Sequence, residues 1–209
     1  MFDLLVLVLE WIGLCAFVMT GAIVAARRNM DVIGFVLLGT VTGIGGGTTR
    51  DVILGRFPVS WVAEPSYLVG CIVVSIAGFF VVPLLGQARL LLWLDAVGLA
   101  LFAVSGAHSA QVAGASPMIA ITMGVVTATF GGMIRDVLSG ASPVVLSKEI
   151  YVTAALAGSA TYVGLGEAGV PGTMALVAGF AVAMVLRSLA LYFELSLPRY
   201  PAGKTGNGS

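Results

Sequence analysis

Long apolar runs alternate with short polar breaks along most of this chain. Seven runs stand out, over about 3–26, 32–55, 66–86, 90–111, 117–140, 148–166 and 170–193. An α-helix rises 1.5 Å per residue, so roughly 20 apolar residues cross the ~30 Å hydrocarbon layer of a bilayer. The breaks "ARRNMD", "GRFPVSWVAEP" and "GEAGVP" bring together the Pro, Gly, Asn and charged residues that end helices. The pattern predicts an all-α polytopic membrane protein with seven transmembrane helices. Trp61, Tyr67, Trp93 and Tyr200 fall near predicted span ends, where interfacial aromatics belong. The first run follows Met1-Phe2-Asp3 without a basic leader and is long enough to span, so it is read as a retained helix. After Pro201 the polar, Gly-rich "AGKTGNGS" predicts a disordered tail.

Composition supports the membrane reading. Hydrophobic residues make up 59% of the 209 residues, charged residues 10%, and the mean hydropathy is +1.07. A net charge of zero gives no footing for a nucleic-acid partner; membrane lipid is the expected one. With the N-terminus outside, Arg27, Arg28, Arg89, Lys148, Arg199 and Lys204 fall in inner segments, and only Arg56 in an outer one. That excess of inner cations predicts N-out, C-in. Arg50, Arg135 and Arg187 sit within spans, and Arg187 reads as a cation snorkelling to the inner interface. Cys15 and Cys71 lie in apolar runs and read as small buried side chains rather than a disulfide. The single histidine, His108, reads as a polar residue near an outer helix end. No metal-ligand cluster and no Ser/His/Asp set appears, so the sequence predicts neither an enzyme nor a cofactor.

The chain also repeats itself. "GTVTGIGGGTTRDVILGRFP" (39–58) lies over "GVVTATFGGMIRDVLSGASP" (124–143) without a gap, 85 residues apart, and ten of the twenty positions are identical. Gly13/Gly98, Phe17/Phe102, Gly21/Gly106 and Glu64/Glu149 follow the same offset, and acidic Glu10 falls on acidic Asp95. Shared hydrophobicity would match Leu with Val; it would not match Arg-Asp with Arg-Asp. Each copy holds three spans, an odd number, so the two must cross in opposite senses. The expected organisation is one three-helix repeat (1–88), a second, inverted one (89–168), a seventh helix (169–197) and the tail (198–209). Inverted repeats are a transporter and channel architecture, with the pathway at the repeat interface.

The duplicated motif carries the chemistry. In a soluble chain "GIGGGTTRD" suggests a phosphate cradle, but no strand–loop–helix surrounds it here. Gly39, Gly43 and Gly47, with Gly124, Ala128 and Gly132 in the second copy, form a small-residue stripe for close helix packing. Gly45, Gly46 and Gly47, and Gly131 and Gly132 after Phe130, are also expected to kink their spans and turn carbonyls toward a water-filled path. Thr48 and Thr49, like Thr42 and Thr127, can line that path or satisfy backbone groups. A charged residue at a helix centre costs roughly 2.5–3.5 kcal/mol on insertion scales, so intramembrane Arg50-Asp51 and Arg135-Asp136 are read as functional. Adjacent helix positions do not face each other, so each residue is expected to pair elsewhere. Arg50 lies roughly 10 Å from its helix midpoint toward the outside and Arg135 about as far toward the inside, which predicts separate clusters, Glu10–Arg50 and Asp95–Arg135.

With the doubled "GG-x-x-RD-V-x-x-G-x-x-P" in place, the chain resembles the prokaryotic branch of the TRIC family, the trimeric intracellular cation channels. The resemblance implies seven-span subunits in a prokaryotic inner membrane, assembled as a homotrimer with a pore in each subunit. Helices two and five would line that pore, bent at Gly45, Gly46, Gly47, Gly131 and Gly132. It further implies passive, potassium-favouring conduction of monovalent cations, sodium included, with some voltage dependence, for which Arg135 is the counterpart of gating residues. Related bacterial sequences also carry a glycine-transporter label, so a secondary transporter of a small solute is the alternative.

Overall fold

The computed structural model of the chain describes residues 2–84, 87–143, 150–193 and 195. All regular structure among them is helical. The elements are α1 (Phe2–Arg27), α2 (Val32–Ile53), α3 (Ser60–Ala63), α4 (Ser66–Val81) running into a 3-10 turn (Val82–Leu84), α5 (Gln87–Val112), α6 (Pro117–Leu138), α7 (Ile150–Glu167) and α8 (Gly172–Tyr192). The seven predicted runs each become a helix, and α3 is an additional short turn that the pattern did not predict. Glu149, Lys148, Arg199, Tyr200, Lys204 and the predicted tail lie outside the described residues.

Local chemistry sets the ends. Asp31 caps α2, its carboxylate accepting from the Gly34 amide at 2.8 Å, and Pro117 opens α6 where no helical amide partner is needed. Gly55 and Gly140 follow α2 and α6 at φ 66° and 69°. The next amides reach back, Arg56 N to Asp51 O and Ala141 N to Asp136 O, each at 2.8 Å. This termination wraps the chain left-handed through one residue, a conformation glycine adopts without steric cost. The duplicated glycine in the motif is therefore a helix stop.

Among the described residues, six helices are long and apolar enough to cross a membrane: α1, α2, α4 with its 3-10 turn, α5, α6 and α8. Helix α7, with Thr153, Ser159, Thr161 and Tyr162 among its apolar residues, is less apolar and packs into the same bundle. Large apolar side chains such as Leu4, Leu37, Phe80, Met118 and Val177 point outward, as a surface solvated by lipid requires. Helices α1, α2 and α4 pack on one another, as do α5, α6 and α7; α1 on α5 and α2 on α6 join the two sets, and α8 lies against α5 and α7.

Candidate functional site

The glycine motifs meet where α2 crosses α6. A methyl group on Gly46 would fall on the carbonyl oxygen of Thr127, and one on Gly131 would fall on the carbonyl oxygen of Thr42. Gly45 faces Ile134 and Gly131 in the same crossing. The small residues thus permit backbone-to-backbone packing between the helices. Gly39 and Gly43 pack against Val18, Ser75 and Cys71, but Gly47 has no close neighbour except the Arg50 side chain. The stripe therefore divides: two members pack, and the third faces open space.

Gly45, Gly46 and Gly47, and Phe130, Gly131 and Gly132, all lie inside continuous α-helix. The hydroxyls of Thr48 and Thr49 donate to the carbonyls of Ile44 and Gly45, four residues back, at 2.8 and 2.9 Å. Neighbouring helix contacts compensate the low helix propensity of the glycines, so tertiary packing overrides the local preference.

The charge centres differ from the expectation in two respects. Arg50 Nε and Nη2 donate to Asp51 Oδ1 at 2.9 and 2.8 Å, and Arg135 Nε donates to Asp136 Oδ1 at 2.9 Å. Sequence neighbours therefore do pair. The i,i+1 rule describes the divergence of Cβ directions, and a guanidinium on a long stem can curl back across that angle. In the first centre the other Asp51 oxygen accepts the amide (2.8 Å) and hydroxyl of Ser60, so α3 closes over the end of α2. Glu10 does not bond Arg50; it accepts from the Tyr67 hydroxyl at 3.1 Å. In the second centre Arg135 Nη1 reaches Asp95 at 3.1 Å and Thr20 at 2.7 Å. Both arginines are almost wholly buried.

A cavity of about 210 Å³ opens beside the first centre. Glu10, Gly47, Thr48, Arg50, Tyr67 and Trp61 form one side, and Ser105, Ser109, Thr127 and Phe102 the other. The matching position in the second copy is filled: Gly132 lies close to the Tyr151 hydroxyl, Arg135 and Asp95, at 3.3, 3.5 and 3.6 Å from where its Cβ would stand. The space beside Gly47 is open, whereas Tyr151, Arg135 and Asp95 crowd the space beside Gly132.

Two groups in this region were misread from sequence. Arg187 does not snorkel. It is 1% exposed, with its guanidinium carbon 5.0 Å from the centre of the Tyr151 ring, and its Nε and Nη2 have no hydrogen-bond partner. The Tyr151 hydroxyl and Asp95 Oδ1 both stand beside Gly132. The tyrosines were hidden by a register change: Tyr67, bonded to Glu10, corresponds to Tyr151, in the surroundings of Asp95, at an offset of 84, not 85. Ser75, against Gly39, corresponds to Ser159, against Gly124, by the same 84. A search that allowed one deletion between the second and third helices of the repeat would have found both pairs.

Comparison with known proteins agrees with this architecture. The model of the family described as Glycine transporter matches residues 7–83 and 92–167. A TRIC trimeric intracellular cation channel orthologue from Rhodobacter sphaeroides superposes with a TM-score of 0.89 at 55% identity, covering 91% of this chain and 99% of that one. A prokaryotic TRIC channel solved in 0.5 M KCl gives 0.86 at 32% identity, covering 93% and 100%. The UPF0126 inner membrane protein YadS of Escherichia coli K12 is 38% identical over 97% of this chain and 100% of its own length.

Proposed function

We propose, from the premise that this chain belongs to the TRIC family, that it is a monovalent cation channel favouring potassium. The chain is a multi-pass membrane protein of a channel- and transporter-type family. The proposed subunit has seven spans, α7 included, arranged as two inverted three-helix repeats and a closing helix, with its N-terminus outside. The family model supports the duplication: its two matches begin 85 residues apart and end 84 apart. Three subunits would associate, each with its own path along the α2–α6 crossing.

The observation that carries this reading is the cavity on the α2–α6 seam, lined by the polar Glu10, Thr48, Ser105 and Thr127 and by Gly47, all within helices long and apolar enough to span. Polar groups in that position mark an ion path. The path is interrupted at the second centre by Arg135, bound between Asp95, Asp136 and Thr20. On this reading the pore is open from one side and closed at the other. Opening requires the Arg135 guanidinium to leave its partners, and the displacement of that charge across the membrane field would give voltage dependence, about 2.3 kcal/mol per full charge per 100 mV.

The test is purified protein in a planar bilayer under a potassium gradient. Unitary currents reversing near the potassium potential are expected, and substitution of Arg135 by Ala is expected to raise open probability. A cavity open to one side at a time also suits alternating access by a small-solute transporter. Saturable glycine counterflow without unitary events would establish that reading and remove the channel.

A further inference from the structure

The two halves of the duplicated device treat equivalent oxygen atoms differently. Counterparts at an offset of 85 are Glu10 and Asp95, Thr20 and Ser105, Arg50 and Arg135. In the second half a cation sits among this set: Arg135 Nη1 lies 3.1 Å from Asp95 Oδ1 and 2.7 Å from Thr20 Oγ1. In the first half Arg50 is turned away onto Asp51 and Ser60. Its place beside Glu10 and Ser105 is part of the cavity. Ser105 is 3% exposed, borders that cavity, and its hydroxyl has no hydrogen-bond partner.

We propose that Glu10 and Ser105, in the place that corresponds to the seat of the Arg135 guanidinium, form a binding site for a partly dehydrated monovalent cation. The position selects a cation because its counterpart already holds one, against the same carboxylate-and-hydroxyl pair. Hard oxygen donors suit an alkali metal ion rather than a transition metal. One carboxylate suits a single charge, since calcium sites gather six to eight oxygens with several carboxylates among them. Arg50 is neutralised by Asp51, and Arg56, which also borders the cavity, is exposed at its edge. The local charge is thus near balance, so the ion is held weakly enough to leave again, as conduction requires. The Tyr67 hydroxyl, donating to Glu10, fixes the carboxylate for this contact.

The site rests on the channel reading for its purpose but not for its detection. Thallium(I) serves as the probe, being a monovalent ion with strong anomalous scattering. Crystals of the full chain grown with a thallium salt are expected to show an anomalous peak in contact with the Glu10 carboxylate and the Ser105 hydroxyl. Glu10→Gln is expected to abolish the peak, and the milder Ser105→Ala to weaken it several-fold. No peak there in the wild type, or one unaffected by both substitutions, overturns the site. In bilayers, Glu10→Gln is expected to lower unitary conductance several-fold at low potassium and little at high potassium, where bulk supply replaces local binding. A thallium peak in a protein that passes no potassium current would leave the site standing and remove the channel reading instead.

Discussion

Phe17 and Phe102 are each other's counterparts at the offset of 85, and their rings meet edge to face with centroids 5.2 Å apart. A residue that touches its own counterpart lies on the local axis relating the copies. Reciprocity around that point follows the same rule: Gly13 faces Phe102 while Gly98 faces Phe17, and Gly46 faces Thr127 while Gly131 faces Thr42. Such i-to-j and j-to-i contacts are the mark of a two-fold interface. They support a two-fold relation between the copies from side-chain geometry, while the inversion itself rests on the odd number of spans in each copy.

The glycines at the crossing and the glycine beside the cavity should respond oppositely to the same substitution. Gly46→Ala and Gly131→Ala each place a methyl group against a backbone carbonyl that cannot rotate away. The expected cost is about 1–3 kcal/mol, as for other overpacked positions, seen as a lower thermal midpoint in detergent. Since both residues serve one crossing, the double variant should lose less than the sum of the two. Gly47→Ala meets only the Arg50 side chain, 3.9 Å away, and should keep the wild-type midpoint while narrowing the path and lowering conductance.

Arg135 holds Asp136 through Nε, and Asp95 and the Thr20 hydroxyl through Nη1. Removing it leaves Asp95 and Asp136 buried without that cation, and breaking a buried pair in this way costs about 3–5 kcal/mol. Arg135→Lys should recover little of this, because one ammonium cannot reproduce the planar spread from Nε to Nη1. Asp95→Asn on the Arg135→Ala background should recover part of it by removing one uncompensated charge. The measurement is unfolding in detergent for the two single and the double variants. Full recovery by lysine would show that the position needs only a charge.

Much of this centre was legible before the structure, and the reasons are specific. The motif identities carried Gly46, Gly131, Arg50 and Arg135 to one seam because helix packing and buried charge each demand particular residue types. Asp95 reached Arg135 because depth along a straight helix is countable at 1.5 Å per residue. Side-chain direction was not countable in the same way. Arg50 curls onto its neighbour Asp51 under the short α3, a loop helix with no apolar period to announce it. The tyrosines fell out of register because one residue is missing in the second copy between its second and third helices, and an alignment at a fixed offset places Ser66 on Tyr151. The helix runs on through the glycines because the neighbouring helix fills the groove, a contact that local propensity does not contain.

Arg187 offers the sharpest energetic contrast with Arg135. Both are fully enclosed, yet Arg187 has no carboxylate in ion-pair contact and leaves Nε and Nη2 unsatisfied above the Tyr151 ring. A buried donor without a partner costs about 1–3 kcal/mol, more when charged, and the contact with the ring face offsets about 2 kcal/mol at most when desolvated. Methionine has similar length, fills the same space and needs no hydrogen bond. Arg187→Met is therefore expected to leave the thermal midpoint unchanged or raised, where Arg135→Met should lower it sharply. The same exchange removes the second cation near Asp95, so Arg135 becomes its sole positive neighbour there among the described residues. The Asp95–Arg135 pair should then hold more firmly, and bilayer recordings should show a lower open probability at every voltage. A strongly destabilised Arg187→Met would instead mean that this guanidinium is held by a partner the present geometry does not supply.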